Sequence, residues 1–426
     1  MAAVGRILLV DNSRAYAAIV SSAIKDRLGL DVLVADSLSA AAQTLDRGND
    51  GIFLVLSGLI LPDADEAAVV SYFVQRKLPL VVVSGVFDTA TRERILAQPV
   101  IDYVLKDNPA SVDYLVWLVD RIRRNHDLTA LVVDDSRSYR GQVSGLLSLY
   151  GFKVLSTDNA EKGFELLQAT PQIKLVVTDF ELPGMNGIQF VRRIRALHPR
   201  DRLAIIGVSS SQSSRGPVSA QFIKTGANDY LNKPFLPEEL FCRVAQNVES
   251  LESIASLRVM ASTDSLTGLL NRRAFLEGAQ RRFETQSRKG LPLAVAMLDV
   301  DFFKRINDTR GHDGGDEVLR ALARLMPEGA GDDELIGRFG GEEFCILLPG
   351  LEHDAALARC EHIRRAIEGA TIHLNDGPIP VTASIGLCGA PLASLHAMLK
   401  EADTALYRAK AEGRNRVSSS SPPPCL

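Results

Sequence analysis

The chain has 426 residues, is 46% hydrophobic and carries a net charge of −4, which suits about three domains of ordinary size. The near-neutral total gives no basic footprint and argues against a nucleic-acid-binding output. No run of about 18 apolar residues is present, so no membrane insertion is expected. The first strand pattern, RILLVDNS from Arg6, begins almost at once, and no signal peptide is expected. Five cysteines, Cys242, Cys345, Cys360, Cys388 and Cys425, are scattered without C-x-x-C spacing. They read as reduced thiols of a cytoplasmic protein with no zinc site.

An internal repeat covers the first 250 residues. ILLVDNSRAY from Ile7 recurs as ALVVDDSRSY from Ala130, and YVLKDNP around Lys106 recurs as YLNKPF around Lys233. Each unit alternates short apolar strand runs with amphipathic helix patterns, which predicts two tandem α/β domains, each a flavodoxin-like, doubly wound parallel sheet. In the first, residues 1–125, Asp11 ends the first strand and Asn12 follows it. The run LVLSGLILPD, read back from Pro62, puts Gly58 where the second unit has an acid, or Ser57 if the register slips by one. Ser84 and Lys106 remain, and a lysine without its acids reads as a surface or structural residue.

In the second unit, Asp134 and Asp135 end the first strand, Asp179 ends LVVTD, Ser209 ends LAIIGVS and Lys233 precedes Pro234. Carboxyl ends of parallel strands converge on one face, so three acids, a hydroxyl and a lysine would form a cation site able to polarise a phosphoryl donor. With DFELPGMNG from Asp179, this unit resembles a response-regulator receiver domain over residues 128–248. The resemblance implies Asp179 as phospho-acceptor, Asp134, Asp135 and Asp179 as Mg²⁺ ligands, Ser209 as switch hydroxyl and Lys233 as phosphoryl partner. A histidine kinase or phosphotransfer protein is the implied donor. The first unit then reads as a pseudo-receiver, used for packing or dimerisation and not phosphorylated.

Residues 236–262 form a helical linker overlapping the last receiver helix. Leu240, Val244, Val248, Leu251, Ile254 and Leu257 recur at helical spacing. This stripe is either ordinary intradomain core or a two-stranded coiled-coil seam.

Beyond it, LAVAMLDVDFFKRIND is a buried strand pattern ending in Asp299 and Asp301, followed by Lys304, Asn307 and, after GHDGG, Asp316. RFGGEEFCILL places Gly340, Gly341, Glu342 and Glu343 at a hairpin tip between two β-rich runs, where paired glycines permit positive φ angles and a close approach to phosphate. In EADTALYRAKAEGRNRV, Lys410 and Arg414 are spaced i,i+4 on one helix face, with Gly413 placed to end the helix. SSSSPPPCL closes the chain as a low-complexity tail, residues 418–426, expected to be disordered.

These segments and the opening motif TDSLTGLLNRRAF from Thr263 resemble, in order, the diguanylate cyclase (GGDEF) family over residues 263–417, an α/β nucleotidyl-cyclase-like fold. The resemblance implies condensation of two GTP into cyclic di-GMP with release of two pyrophosphates. It places Mg²⁺ on Asp299, Glu342 and the Val300 carbonyl, and Glu343 at the attacking 3′-hydroxyl, either as general base or in a metal-linked role. Asn307 and Asp316 would read the guanine edge. Lys410, Arg414 and Lys304, with the backbone of Phe302 and Phe303, would neutralise the triphosphate. One departure stands out: the family's Arg-x-x-Asp product-binding motif falls here on Gly331 and Glu334, so weak or absent product inhibition is expected. Two equivalent linkages in the product require two facing sites, hence a homodimer. The receiver–receiver–cyclase order suggests a response regulator gated through Asp179, with activation and restraint both open. The alternative is a catalytically silent GGDEF scaffold binding GTP or protein partners.

Overall fold

The computed structural model describes residues 5–47, 51–85, 88–106, 109–210, 218–331, 333–374 and 377–420. It forms two compact units, Met1–Ala255 and Ser256–Leu426.

The first unit contains the duplication. Its first half runs β1 (Arg6–Val10), α1 (Arg14–Leu28), β2 (Val32–Ala35), α2 (Leu38–Asp46), β3 (Ile52–Gly58), α3 (Glu66–Gln75), β4 (Leu80–Ser84), α4 (Thr89–Leu96), β5 (Asp102–Leu105) and α5 (Pro109–Asn125). Its second half repeats the order with β6 (Thr129–Val133), α6 (Arg137–Leu149), β7 (Lys153–Thr157), α7 (Ala160–Ala169), β8 (Ile173–Asp179), α8 (Gly187–Arg195), β9 (Ala204–Ser210), α9 (Val218–Thr225), β10 (Asp229–Lys233) and α10 (Pro237–Ser262). The sheets have the same parallel order, β2-β1-β3-β4-β5 and β7-β6-β8-β9-β10. Helices cover both faces, which is why β4 and β6 are buried along their whole length and apolar at all but one position each. Register settles the acceptor position: Val10 lies opposite Ser57 and Val133 opposite Thr178, so Gly58 is the counterpart of Asp179.

The two halves share one core. Leu115, Leu118 and Ile122 of α5 join Leu147, Tyr150, Phe241 and Val248 of the second half. Polar contacts fix the register of this seam. Arg121, fully buried, donates to both Glu252 oxygens at 2.7 and 2.9 Å and to Asn125 Oδ1 at 2.9 Å. Asn125 in turn donates to the Tyr150 carbonyl at 2.8 Å, and Arg124 also reaches Glu252. Trp117 donates to Glu249, and Arg92 to Glu238 at 2.6 Å.

This seam decides the linker stripe. Leu240, Val244, Val248 and Leu251 are buried in the shared core, Ile254 is half-buried and Leu257 is exposed. Most of the stripe is therefore intradomain core and cannot serve as a coiled-coil seam. Only the last turns of α10 show apolar residues to solvent, Leu257, Val259 and Met260.

The second unit runs β11 (Leu270–Asn271), α11 (Arg272–Lys289), β12 (Leu293–Val300), α12 (Phe303–Leu325), β13 (Leu335–Gly340), β14 (Glu343–Pro349), α13 (His353–Gly369), β15 (Ile372–Leu374), β16 (Gly377–Ile379), β17 (Ala383–Cys388), α14 (Leu395–Ala411) and β18 (Val417–Ser419). Six strands make one mixed sheet, β11-β13-β14-β12-β17-β18, with β12 antiparallel to both neighbours. Every residue of β12 is buried, and alternation divides them. Ala294, Ala296 and Leu298 face a core with α12 and α13, whereas Leu293, Val295 and Met297 face one with α11 and α14. The tail begins later than expected. Ser418 and Ser419 pair with Gly386 and Leu387 in the sheet, and Ser420 still bonds the Leu387 carbonyl. Residues 421–426, Cys425 included, lie outside the described residues.

Replacing Glu252 with Ala would leave the buried Arg121 guanidinium without its carboxylate. We expect a loss of about 2–3 kcal/mol in chemical denaturation of the first unit, with Asp120→Ala, whose carboxylate pairs with Arg123 and Arg124 of its own helix, costing well under half as much.

Candidate functional site

The strand ends of the second half bring the predicted receiver residues together. Carboxylate oxygens of Asp134, Asp135 and Asp179 lie within 4.8 Å of one another, the one such acid cluster among the described residues. Asp134 and Asp179 are buried and Asp135 is exposed. Lys233 Nζ donates to Asp134 Oδ2 at 2.6 Å and Asp179 Oδ1 at 3.0 Å, and lies 4.4 Å from the centre of the Tyr139 ring. Burial pushes the Asp179 carboxyl up to about 6; Lys233 pulls it down and Asp134 adds to the rise. Three close acids with only one lysine between them are a donor set suited to a divalent cation. Ser209 is 1% exposed and follows Val208, the residue opposite Asp179.

The first half keeps the frame and closes it. Lys106 pairs with Asp11, which is 1% exposed, and sits over the Tyr16 ring as Lys233 sits over Tyr139. Lys106 is thus a structural partner and not a surface residue. A Cβ at Gly58 would lie 3.3 Å from Asp11 Oδ2, so the acceptor position is hydrogen where the second half has a carboxylate.

In the second unit the site gathers at the end of β12. Strand alternation turns Asp299 toward α14, where Lys410 Nζ meets its Oδ2 at 2.7 Å. Asp299 pairs across the sheet with Glu343, and the two-residue turn Gly341–Glu342 links β13 to β14 beside it. Only Gly341 of the paired glycines uses positive φ, +40°. Burial raises the Asp299 carboxyl, Lys410 opposes the rise, and the charges of Glu342 and Glu343 add to it. Glu342 is half-buried and Glu343 exposed. Asp299, held up mainly by burial, with Glu342 next to it across the turn and the Val300 backbone between, fits a cation that takes few protein ligands, as Mg²⁺ does.

Phe302 takes φ +57° and starts α12 with no side-chain cap, leaving the first amides of the helix to meet an anion. Phe303 is core and Lys304 is exposed. Helix α12 is two helical stretches meeting at Gly311, which carries Asn307 on one and Asp316 on the other. Both are half-buried, and a Cβ at Gly315 would fall 2.0 Å from Asn307 Oδ1, so glycine there lets the two stretches close on each other.

The expected shared helix face of Lys410 and Arg414 does not form. Helix α14 ends at Ala411, Gly413 adopts φ +115° and Arg414 φ +64°, so Arg414 lies past the helix end. Its guanidinium carbon sits 4.5 Å from the centre of the Phe302 ring, which still returns it to the start of α12.

Two side chains beside the turn, Arg338 and Asp264, were not singled out from sequence, and a third, Asp301, was named there as a strand-end acid without a role. Arg338 donates to the Gly341 carbonyl at 2.7 and 3.0 Å and to Asp264 Oδ1 at 3.0 Å, holding the turn from below. Burial works against ionised Asp264, but hydrogen bonds from Thr267 and Arg338 outweigh it and keep the carboxyl below its ordinary range. The signal was available, since Arg338 directly precedes Phe-Gly-Gly and Asp264 lies in TDSLTG. The third, Asp301, is buried and bonded at both oxygens within the protein. At the position of the missing product-binding motif, Arg359 grips Glu334 at 3.1 and 3.2 Å and also donates to the carbonyls of Met326 and Glu328. Asp332 lies outside the described residues.

Residues 261–416 match the family described as diguanylate cyclase, GGDEF domain, and residues 130–245 the response regulator receiver domain. The response regulator PleD of Caulobacter vibrioides is 32% identical over 298 residues, 67% of this chain and 64% of PleD. The diguanylate cyclase DgcP of Pseudomonas aeruginosa is 40% identical over 161 residues, 38% of this chain and 24% of DgcP. A crystal structure of a two-component system response regulator/GGDEF domain protein is 38% identical, covers 58% of this chain and 99% of its own, and superposes with a TM-score of 0.51.

Arg338→Met should cost the second unit about 1–3 kcal/mol and speed amide exchange across Gly340–Glu343, read by hydrogen-exchange mass spectrometry. Arg338→Lys should restore little, because a point charge cannot replace the fork that spans Gly341 and Asp264.

Proposed function

From a chain that belongs to the diguanylate cyclase GGDEF family and carries a response-regulator receiver domain ahead of it, we propose a diguanylate cyclase that joins two GTP into cyclic di-GMP under control of phosphorylation at Asp179. The observation that carries this reading is the convergence of Asp299, Glu342, Glu343 and Lys410 at one strand end and one hairpin turn.

Asp299, Glu342 and the Val300 carbonyl are the groups that would hold Mg²⁺, which would offset the charge of the triphosphate. Lys410 and Arg414 add positive charge, and the uncapped start of α12 offers amide donors to the same phosphates. Asn307 and Asp316 orient the guanine; a carboxylate accepts from N1–H and the exocyclic amine, a donor pair adenine lacks. Glu343 serves the 3′-hydroxyl as it attacks the partner's α-phosphorus. The new O–P bond forms as the bond to pyrophosphate breaks, and the hydroxyl proton passes to the Glu343 carboxylate. Each domain orients one nucleotide, so two domains must face each other for both linkages to close.

Control sits at the other acid cluster. A phosphoryl group on Asp179 adds about −1.5 to −2 charge, and Lys233 already lies 3.0 Å from that carboxylate. Ser209 is the hydroxyl placed to follow it. A histidine kinase or phosphotransfer protein would supply the phosphoryl group in the cytoplasm, and the response would be a change in how two chains meet.

Purified protein with GTP and Mg²⁺ should form cyclic di-GMP at a rate rising faster than linearly with protein concentration. Glu343→Ala should lower it at least a hundredfold with the fold intact, and Asp179→Asn should remove only the response to beryllium fluoride. No product under any condition would favour a silent GTP-binding scaffold instead. Because Glu334 is already neutralised by Arg359, added cyclic di-GMP should leave the initial rate unchanged; strong inhibition lost in a Glu334→Ala variant would refute this.

A further inference from the structure

Asp301 is the buried acid that the proposed chemistry leaves without a role. It is 4% exposed, and both its oxygens are taken by the protein. Oδ1 accepts from Ser384 Oγ at 2.7 Å, while Oδ2 accepts from Thr382 Oγ1 at 2.7 Å and from the Asn415 amide at 3.0 Å. Its own amide donates to the Thr382 carbonyl at 2.9 Å. Three of the carboxylate's four lone-pair sites are thus filled from within the protein.

The third donor is the informative one. Asn415 and Arg414 adopt φ of +45° and +64°, a conformation that non-glycine residues hold only when their surroundings fix it. Several bonds fix this turn: Arg414 N to the Ala409 carbonyl, Arg364 to Asn415 Oδ1 at 2.8 Å, Asn415 Nδ2 to Glu368 at 2.7 Å, and the Asp301 carboxylate on the Asn415 amide. Of these anchors, Asp301 is the one that ties the turn to the strand end carrying Asp299. Within four residues, that strand end then meets the 410–415 arm three times. Asp299 takes Lys410, Asp301 takes the Asn415 amide, and the Phe302 ring takes the Arg414 guanidinium.

Resting on the reading of this site as a GTP-binding one, we infer that Asp301 is a positioning residue that sets the distance between the metal-binding strand end and the cationic arm. It acts through Asn415 on Arg414 and touches neither nucleotide nor metal. The isosteric Asp301→Asn removes the negative charge that strengthens the bond from the Asn415 backbone amide and turns one acceptor into a donor, and so loosens the arm without opening a cavity.

The test uses the full-length chain. Asp301→Asn should raise KM for GTP about tenfold, leave the Mg²⁺ concentration for half-maximal rate unmoved, and speed amide exchange at Asn415. Thr382→Val, which removes one supporting donor, should shift KM in the same direction by about threefold and covers the case in which the first variant fails to fold. A changed Mg²⁺ requirement with KM unmoved would make Asp301 a metal-side group and overturn the inference, as would an unaltered KM in both variants. Should the wild-type chain make no cyclic di-GMP, the functional reading fails separately. Amide exchange then decides this point alone, and protection of Asn415 unchanged in both variants would sink it.

Discussion

A carboxylate at the end of a strand buried on both sides has lost most of its water and needs a positive partner to stay ionised. The chain meets this need three times in the same way. Asp11, Asp134 and Asp299 are at most 5% exposed, and each is gripped by a lysine from a distant segment: Lys106, Lys233 and Lys410. In each case the lysine closes the layer of structure over the strand end. What differs is what else stands there. Asp134 has Asp135 and Asp179 beside it and Asp299 has Glu342 and Glu343, so one lysine is outnumbered and a further cation is invited. Asp11 has Asn12 and Gly58, so Lys106 balances it alone and the pair is complete.

That difference shows how a duplicated domain can lack two of the three acids and keep its place. The first half has become a wall for the second: α5 buries Leu115, Leu118 and Ile122 against α6 and α10, and Arg121 is drawn wholly into the seam. A buried guanidinium is tolerable because Glu252 and Asn125 take up its donors. Glu252 lies on the helix that continues to Ser262, so the first half grips the helix by which the chain leaves the second.

Much of this was legible in the sequence because the decisive signals are local. The repeat at Ile7 and Ala130 gave both sheets, and the Gly-Gly-Glu-Glu string gave a two-residue turn. The apolar run before Asp299 gave a buried strand that delivers this acid to its end. Illegible were features set by partners far along the chain. The stripe from Leu240 to Leu257 has helical spacing whichever surface it meets, and packing against α5, α6 and the second sheet decides that its first four residues are core. The i,i+4 spacing of Lys410 and Arg414 holds only inside a helix, and Gly413 ends it between them. Gly58 could be told from Ser57 only by strand register. Asp301 looks like a twin of Asp299 two residues away, yet its donors come from residues 382, 384 and 415.

Only three residues, 126–128, separate α5 from β6. So short a tether keeps the two halves of the first unit at an effective concentration far above that of any second chain. Their pairing is intramolecular, and dilution does not reach it. Whatever part of this protein's behaviour varies with its concentration must therefore come from surfaces other than the Arg121 seam, which makes dilution a clean way to separate contacts within one chain from contacts between two.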